Sequence, residues 1–207
     1  MRRIMPLLLL ILFSCNTEKS LNTEKLAIEL DSILVVDQKY RLQMQEVQEE
    51  YGWNSPEMGE LWKKQMQIDR SNLERVIEII DQVGGYPGKS LVGNSASKST
   101  FYVLQHAPDI IQEKYYNLIV AAAKENELDK RLAGMYQDRY LMHRGEDQLF
   151  GTQIRSEYET DSISGERFEK TFVWPIADTT RIDSVRMVNG LGPLEDYLSS
   201  FGLSRWD

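Results

Sequence analysis

Ser55 to Gly85 reads SPEMGELWKKQMQIDRSNLERVIEIIDQVGG, and this stretch decides the fold class. Ser55-Pro56-Glu57 opens a helix with a hydroxyl N-cap, a proline in the first turn and an acid near the positive dipole end. Leu61, Met66, Leu73, Val76, Ile77 and Ile80 follow at helical spacing. Gly84-Gly85 stops the pattern, and Tyr86-Pro87-Gly88 turns the chain.

Working outward, Leu26, Leu30, Ile33, Leu34, Tyr40, Met44, Val47 and Tyr51 form one face of a long amphipathic helix that Gly52 ends. Downstream, a third helix is expected from Ser95 to His106, a fourth from Pro108, and a fifth from about Glu127 to His143. The composition then changes. Thr152–Tyr158 and Arg167–Trp174 are rich in Thr, Tyr, Phe, Val and Ile, and Asp161–Gly165 separates them as a turn, so they predict a β-hairpin that Pro175 closes. Short helices are expected from Asp178 to Val188 and from Leu194 to Phe201. The expected fold is therefore mainly α: one multi-helix domain over residues 26–207, with a C-terminal hairpin and short terminal helices.

The other end carries a targeting pattern. Arg2-Arg3 precede an apolar run from Ile4 to Phe13, too short for a span of about 20 residues. Leu12-Phe13-Ser14-Cys15 resembles the lipobox of bacterial lipoproteins. That resemblance implies a signal peptide over residues 1–14, diacylglyceryl attachment to the Cys15 sulfur and acylation of its new amine. Residues 15–25, in which NTEK occurs twice, form a polar spacer. The alternative is an ordinary signal peptide with Cys15 incidental. As the sole cysteine, directly after the apolar run, Cys15 is better explained as a lipid acceptor than as a free exported thiol. The expected location is a cell envelope, tethered to the inner or outer membrane.

A net charge of −8 argues against electrostatic binding to nucleic acid or anionic lipid. The 42% hydrophobic content indicates a folded domain, and a chain of 207 residues can bury roughly 70% of its unfolded surface. Gly84 to Ser90 ends like a phosphate-binding loop, but position 83 is Val where that loop needs Gly. Ser95-Ala96-Ser97-Lys98 matches S-x-x-K, yet neither S-D-N nor K-T-G accompanies it, so Ser95 is read as a helix cap. His106 and His143 without close His or Cys companions predict no metal site, and no cofactor motif is present.

Charge interrupts the apolar pattern in three places: Asp37 and Arg41 on the first helix, Asp138 and Arg139 on the fifth, and Gln105-His106 before Asp109. Charged groups are rarely buried unless paired, so these residues are partnered inside or gathered at a cleft. They also carry a resemblance. Asp37-Gln38 with Arg41, Gln105-His106-Ala107, Asp138-Arg139 and Gln148-x-x-Gly151-Thr152-Gln153, with Arg186, Leu191 and Pro193-Leu194, resemble the pattern of a bacterial family described as domain of unknown function 6624. The likeness covers Leu26 to Leu198. It implies kinship of fold and no particular activity.

Two functions remain in view. One is a non-catalytic envelope lipoprotein that binds a partner protein or small ligand. The other is a hydrolase of wall peptide or glycan, with His106 as acid–base, Asp138 or Asp109 orienting it, Arg139 or Arg41 holding an anion and Gln153 donating to an oxyanion. The second requires His106, Asp138, Arg139 and Gln153 around one cleft. In the structural alternative, Asp–Arg pairs fix helix geometry and carry no chemistry.

Overall fold

The computed structural model describes residues 21–205, so Cys15 and the apolar run before it lie outside the described residues. The described residues form helices α1 (Thr23–Gln38), α2 (Arg41–Tyr51), α3 (Pro56–Val83), α4 (Lys89–Gln105), α5 (Asp109–Lys124) and α6 (Lys130–His143). Strands β1 (Ile154–Thr160) and β2 (Arg167–Val173) follow, then α7 (Ile182–Val188) and α8 (Leu194–Ser199). The fold is α-rich with one antiparallel hairpin, as expected. Among the described residues no helix is long and apolar enough to cross a membrane.

The caps of α3 act as the sequence predicts. Ser55 Oγ accepts from the Met58 amide at 3.1 Å, and Gly84 ends the helix at φ 74°, where the Gly84 and Gly85 amides both reach the Ile80 carbonyl. Its 28 residues serve two cores. Val76, Ile79 and Ile80 join Leu26, Leu30, Phe101, Ile119, Leu132 and Tyr136 in the main one. Met58 and Leu61 meet Met44 of α2 in a smaller cluster.

The long first helix is instead two. Gln65 Nε2, from α3, donates to the Asp37 carbonyl at 3.0 Å, the acceptor a continuous helix would offer to the Arg41 amide. Across the break the amides of Lys39 and Gln43 reach only three residues back, to Val36 and Tyr40. α1 therefore ends at the turn that carries Asp37, and α2 leaves it to pack on α3.

The start of α4 also differs. The helix begins at Lys89 with a kink at Gly93 (φ 85°), and Ser95 lies exposed inside it rather than capping it. Gly88 holds the cap position without a side chain to offer. Glu127 supplies the bonds, its Oε2 accepting from the Ser90 amide at 2.8 Å and its carbonyl from the Lys89 amide. Asp129 caps α6, so that helix begins three residues later than expected. Asp178 likewise forms a turn with Thr180 and Arg181 and does not start α7.

In the hairpin, Ile154 faces Val173 and Thr160 faces Arg167. Asp161 closes the turn by accepting from the Ile163 and Ser164 amides, and Gly165 takes φ 75°. The strands are largely exposed except at their open end, where Ile154 and Val173 pack on Ile182, Leu194 and Leu198. A short parallel bridge from Gln148 to Ile176 ties this end to the loop after α6.

Candidate functional site

Two polar clusters arise from the singled-out residues, one built on His106 and the other joined to Gln105 through Arg139. The first gathers where α1 breaks. Asp37, 1% exposed, accepts from Gln38 Nε2 at 2.7 Å and lies 3.3 Å from His106 Nδ1. Arg41 holds Asp69 of α3 through one nitrogen, Nη2, which lies 2.8 Å from each carboxylate oxygen. Arg41 Nε sits 3.1 and 3.4 Å from the two nitrogens of the His106 ring. Fully buried Gln65 donates to Asp69 at 2.7 Å as well as to the Asp37 carbonyl. Burial pushes the Asp69 carboxyl up, while Gln65 and Arg41 pull it down and lose to that desolvation.

This corner borders a cleft of about 300 Å³ between α3 and α4. Met66, Leu73, Val103, Ala107 and Pro108 make its apolar walls, and Asp69, Arg70 and His106 its polar ones. His106 is 21% exposed, so its ring is backed by a buried carboxylate and still reachable.

The second cluster is built on a sealed carboxylate, although its Thr152 and Arg186 also line a separate cleft of about 430 Å³ with Met135, Pro193 and Tyr197. Asp138 has no exposed surface, and both its oxygens are consumed by one loop: Oδ1 accepts from the Leu149 and Phe150 amides at 2.7 and 3.0 Å, Oδ2 from the Thr152 amide and hydroxyl at 2.9 Å each. Burial raises the Asp138 carboxyl, against the pull of the donors from Thr152 and Leu149. Gln148, fully buried, ties the same loop through the Gln153 amide and the Gln153 and Trp174 carbonyls. Arg186 donates to the Phe150 and Gly151 carbonyls from one side and to Gly192 from the other. Gly151 holds φ 65°, and a Cβ there would stand 2.8 Å from Leu194 Cδ1. The Gly151-Thr152-Gln153 block is thus the loop that Asp138, Gln148 and Arg186 hold closed.

The expected convergence on one cleft is accordingly corrected. His106 takes Asp37 and Arg41 as partners, and Asp138 spends its carboxylate on backbone donors. Arg139 lies between the clusters, giving Nε to Gln153 Oε1 and Nη1 to the Gln105 carbonyl, each at 3.2 Å. Neither Asp138, Arg139 nor Gln153 lines the cleft that His106 borders. Asp109 does not orient His106 either, since it pairs with His143 at 2.8 Å. Among the described residues no three His, Cys, Asp or Glu side chains are grouped to hold a metal ion.

Gln65, Asp69 and Arg70 were not anticipated. The test that found Asp37 applies to Gln65, because Leu61, Gln65, Asn72, Val76 and Ile79 share the buried stripe of α3 and two of these are polar, whereas Asp69 is half-buried and Arg70 exposed.

No curated protein and no solved structure matches the chain. One family model does, across residues 24–203, a span that includes both clusters. The chain thus belongs to the family described as "Family of unknown function (DUF6624)".

Proposed function

We propose that the chain is a bacterial envelope lipoprotein, lipidated at Cys15, whose folded part binds a small ligand in the cleft between α3 and α4. The observation that supports binding is the pairing of apolar walls with a few convergent polar groups, the composition of small-molecule sites in general. Apolar atoms at Met66, Leu73 and Val103 suit the body of a ligand, while His106, Asp69 and Arg70 suit one polar end. Benzyl alcohol and hexanol are suitable neutral probes, followed by methyl NMR of the full chain. Saturable shifts at Met66, Leu73 and Val103, lost in a folded Leu73→Trp variant that fills the cleft, are expected. Shifts that never saturate, or that spread over the whole surface, would refute the site.

A second reading, hydrolysis of a wall peptide or glycan, draws on a separate observation. Asp37 backs His106 as a carboxylate backs an acid–base imidazole, a place first assigned to Asp138 or Asp109. Turnover of a peptidoglycan fragment that disappears in both His106→Ala and Asp37→Asn would carry that reading over the first. A wild-type protein without turnover retires it.

The tether rests on the sequence pattern at Leu12–Cys15. Labelled palmitate should enter the wild type and not Cys15→Ala, which should accumulate as unprocessed precursor. A wild type that takes up no label overturns the lipid assignment.

A further inference from the structure

We propose that Arg41 and Arg139 form a two-armed seat for an oxyanion, the carboxylate or phosphate-monoester end of the ligand whose body fills the cleft. The proposal rests on the cleft being a ligand site and adds the charge that its ligand carries.

Arg139 is a part-buried cation without an anion. Its hydrogen bonds go to two neutral acceptors, Gln153 Oε1 and the Gln105 carbonyl, and no carboxylate among the described residues lies within ion-pair distance. Its Nη2 makes no hydrogen bond and, unlike Arg41 Nη1, is not enclosed, so it is open to an incoming acceptor. Arg41 uses Nε and Nη2 on His106 and Asp69, while its Nη1 is buried with no partner. The Gln105 side chain is 3% exposed, and neither its amide nitrogen nor its oxygen is bonded. A buried N–H left unpaired costs about 1–3 kcal/mol, and an uncompensated charge costs more. Several such groups at one place call for a common partner.

The chain brings them to one place. Arg41 touches the ring of His106, and Arg139 holds the carbonyl of the residue before it. Both guanidiniums therefore reach the end of α4 on consecutive residues, the second of which, His106, continues into the wall of the cleft. Burial first, and the Arg41 charge second, hold the Arg139 guanidinium below its ordinary value, the direction expected when no anion stands between two cations.

The negative end of the α4 dipole accounts for one of these bonds, Arg139 to Gln105. It does not account for Arg41 Nη1 or for the Gln105 amide. Water can accept from two donors at once, but it is neutral and leaves the two cations opposed. An oxyanion accepts from the one free Nη of each arginine and removes the repulsion as well.

The test titrates sodium acetate and inorganic phosphate separately into the full chain, at constant ionic strength held with chloride. Guanidinium Nε–H NMR reports Arg41 and Arg139. Saturable shifts at both are expected, absent in Arg139→Gln and about tenfold weaker in Arg139→Lys, which keeps the charge and loses the fork. If Arg139→Gln does not fold, Arg41→Lys replaces it, since it retains a cation opposite Asp69 and removes Nη1. The anion that saturates at lower concentration identifies the head group. Equal shifts from chloride, no saturation, or undiminished affinity in Arg139→Lys overturns the seat. Neutral probes bound at Met66 and Leu73 with no saturable anion shift would overturn the seat and leave the cleft standing. Saturable anion shifts with no neutral probe in the cleft would support the seat and overturn the cleft.

Discussion

At Asp138, one buried carboxylate meets four donors from a single loop, and every lone pair aimed at that loop is used. At His106, two carboxylates share one arginine and one imidazole, while Arg41 Nη1 and the whole Gln105 amide go unbonded. Both began as charge set into an apolar helical stripe. The difference lies in what faces the stripe. Asp138 faces backbone, whose N–H groups are fixed and must be satisfied. His106 faces side chains of α1, α2 and α3 at the edge of a cleft, where a ligand can substitute for a protein partner. A polar residue on an apolar face therefore marks an anchor when its partners are backbone and complete, and a candidate site when they are side chains and incomplete.

The largest effect expected from this contrast is at the anchor. Asp138→Ala strands the Leu149, Phe150 and Thr152 amides and the Thr152 hydroxyl, with unsatisfied buried donors costing about 1–3 kcal/mol each. The loop can recover part of this by opening to water, so a loss of about 3 kcal/mol or more is expected from the urea midpoint. Amide exchange at positions 149–152 should accelerate well beyond that in α4. A loss below about 1 kcal/mol would mean that the loop stands without its anchor.

Arg41→Ala comes next. Removing one partner of a fully buried pair costs about 3–5 kcal/mol, but Asp69 keeps Gln65 and touches solvent, which reduces the expected loss to about 2 kcal/mol. His106→Ala should cost about 1 kcal/mol or less in stability, because Asp37 retains Gln38 and Arg41. Its expected consequence is loss of probe binding in the cleft from an otherwise folded protein. If instead His106→Ala destabilises as strongly as Asp138→Ala, the contrast between the two regions disappears.

The sequence made some of this legible. Local signals worked where the cause is local: Ser55-Pro56 and Gly84 bound α3, and Asp161 to Gly165 turns the hairpin. The break at Lys39-Tyr40 was not legible, because its cause is Gln65, 28 residues away, taking a carbonyl from the helix ladder. Nor was the cap of α4, supplied by Glu127. For the site, periodicity showed that Asp37, Arg41, Asp138 and Arg139 face inward, and they do. It could not show which partners they meet, since that depends on how α3 and the 149–152 loop dock. Arg41 finds its carboxylate in Asp69 of α3.

The smallest effect tests the balance inside the open corner. Asp69 is pushed up by burial despite Arg41 and Gln65, with Asp37 adding repulsion and His106 opposing it. A carboxyl with a raised folded value binds its proton more tightly in the native state than in the unfolded chain. Stability attributable to it then rises as pH falls from the folded value toward the ordinary one, near 3.9. The wild type should therefore gain on Asp69→Asn as the pH is lowered toward about 4. The gain should stay within about 1 kcal/mol, since Asp69 is partly solvated. Urea midpoints of both proteins across that range measure it, and differences between the two chains cancel the remaining carboxylates. A wild type that loses ground to Asp69→Asn on acidification would mean that the Arg41 contact outweighs burial. The corner would then be a closed ion pair, energetically akin to the Asp138 anchor, and Arg41 would have less to offer an incoming anion.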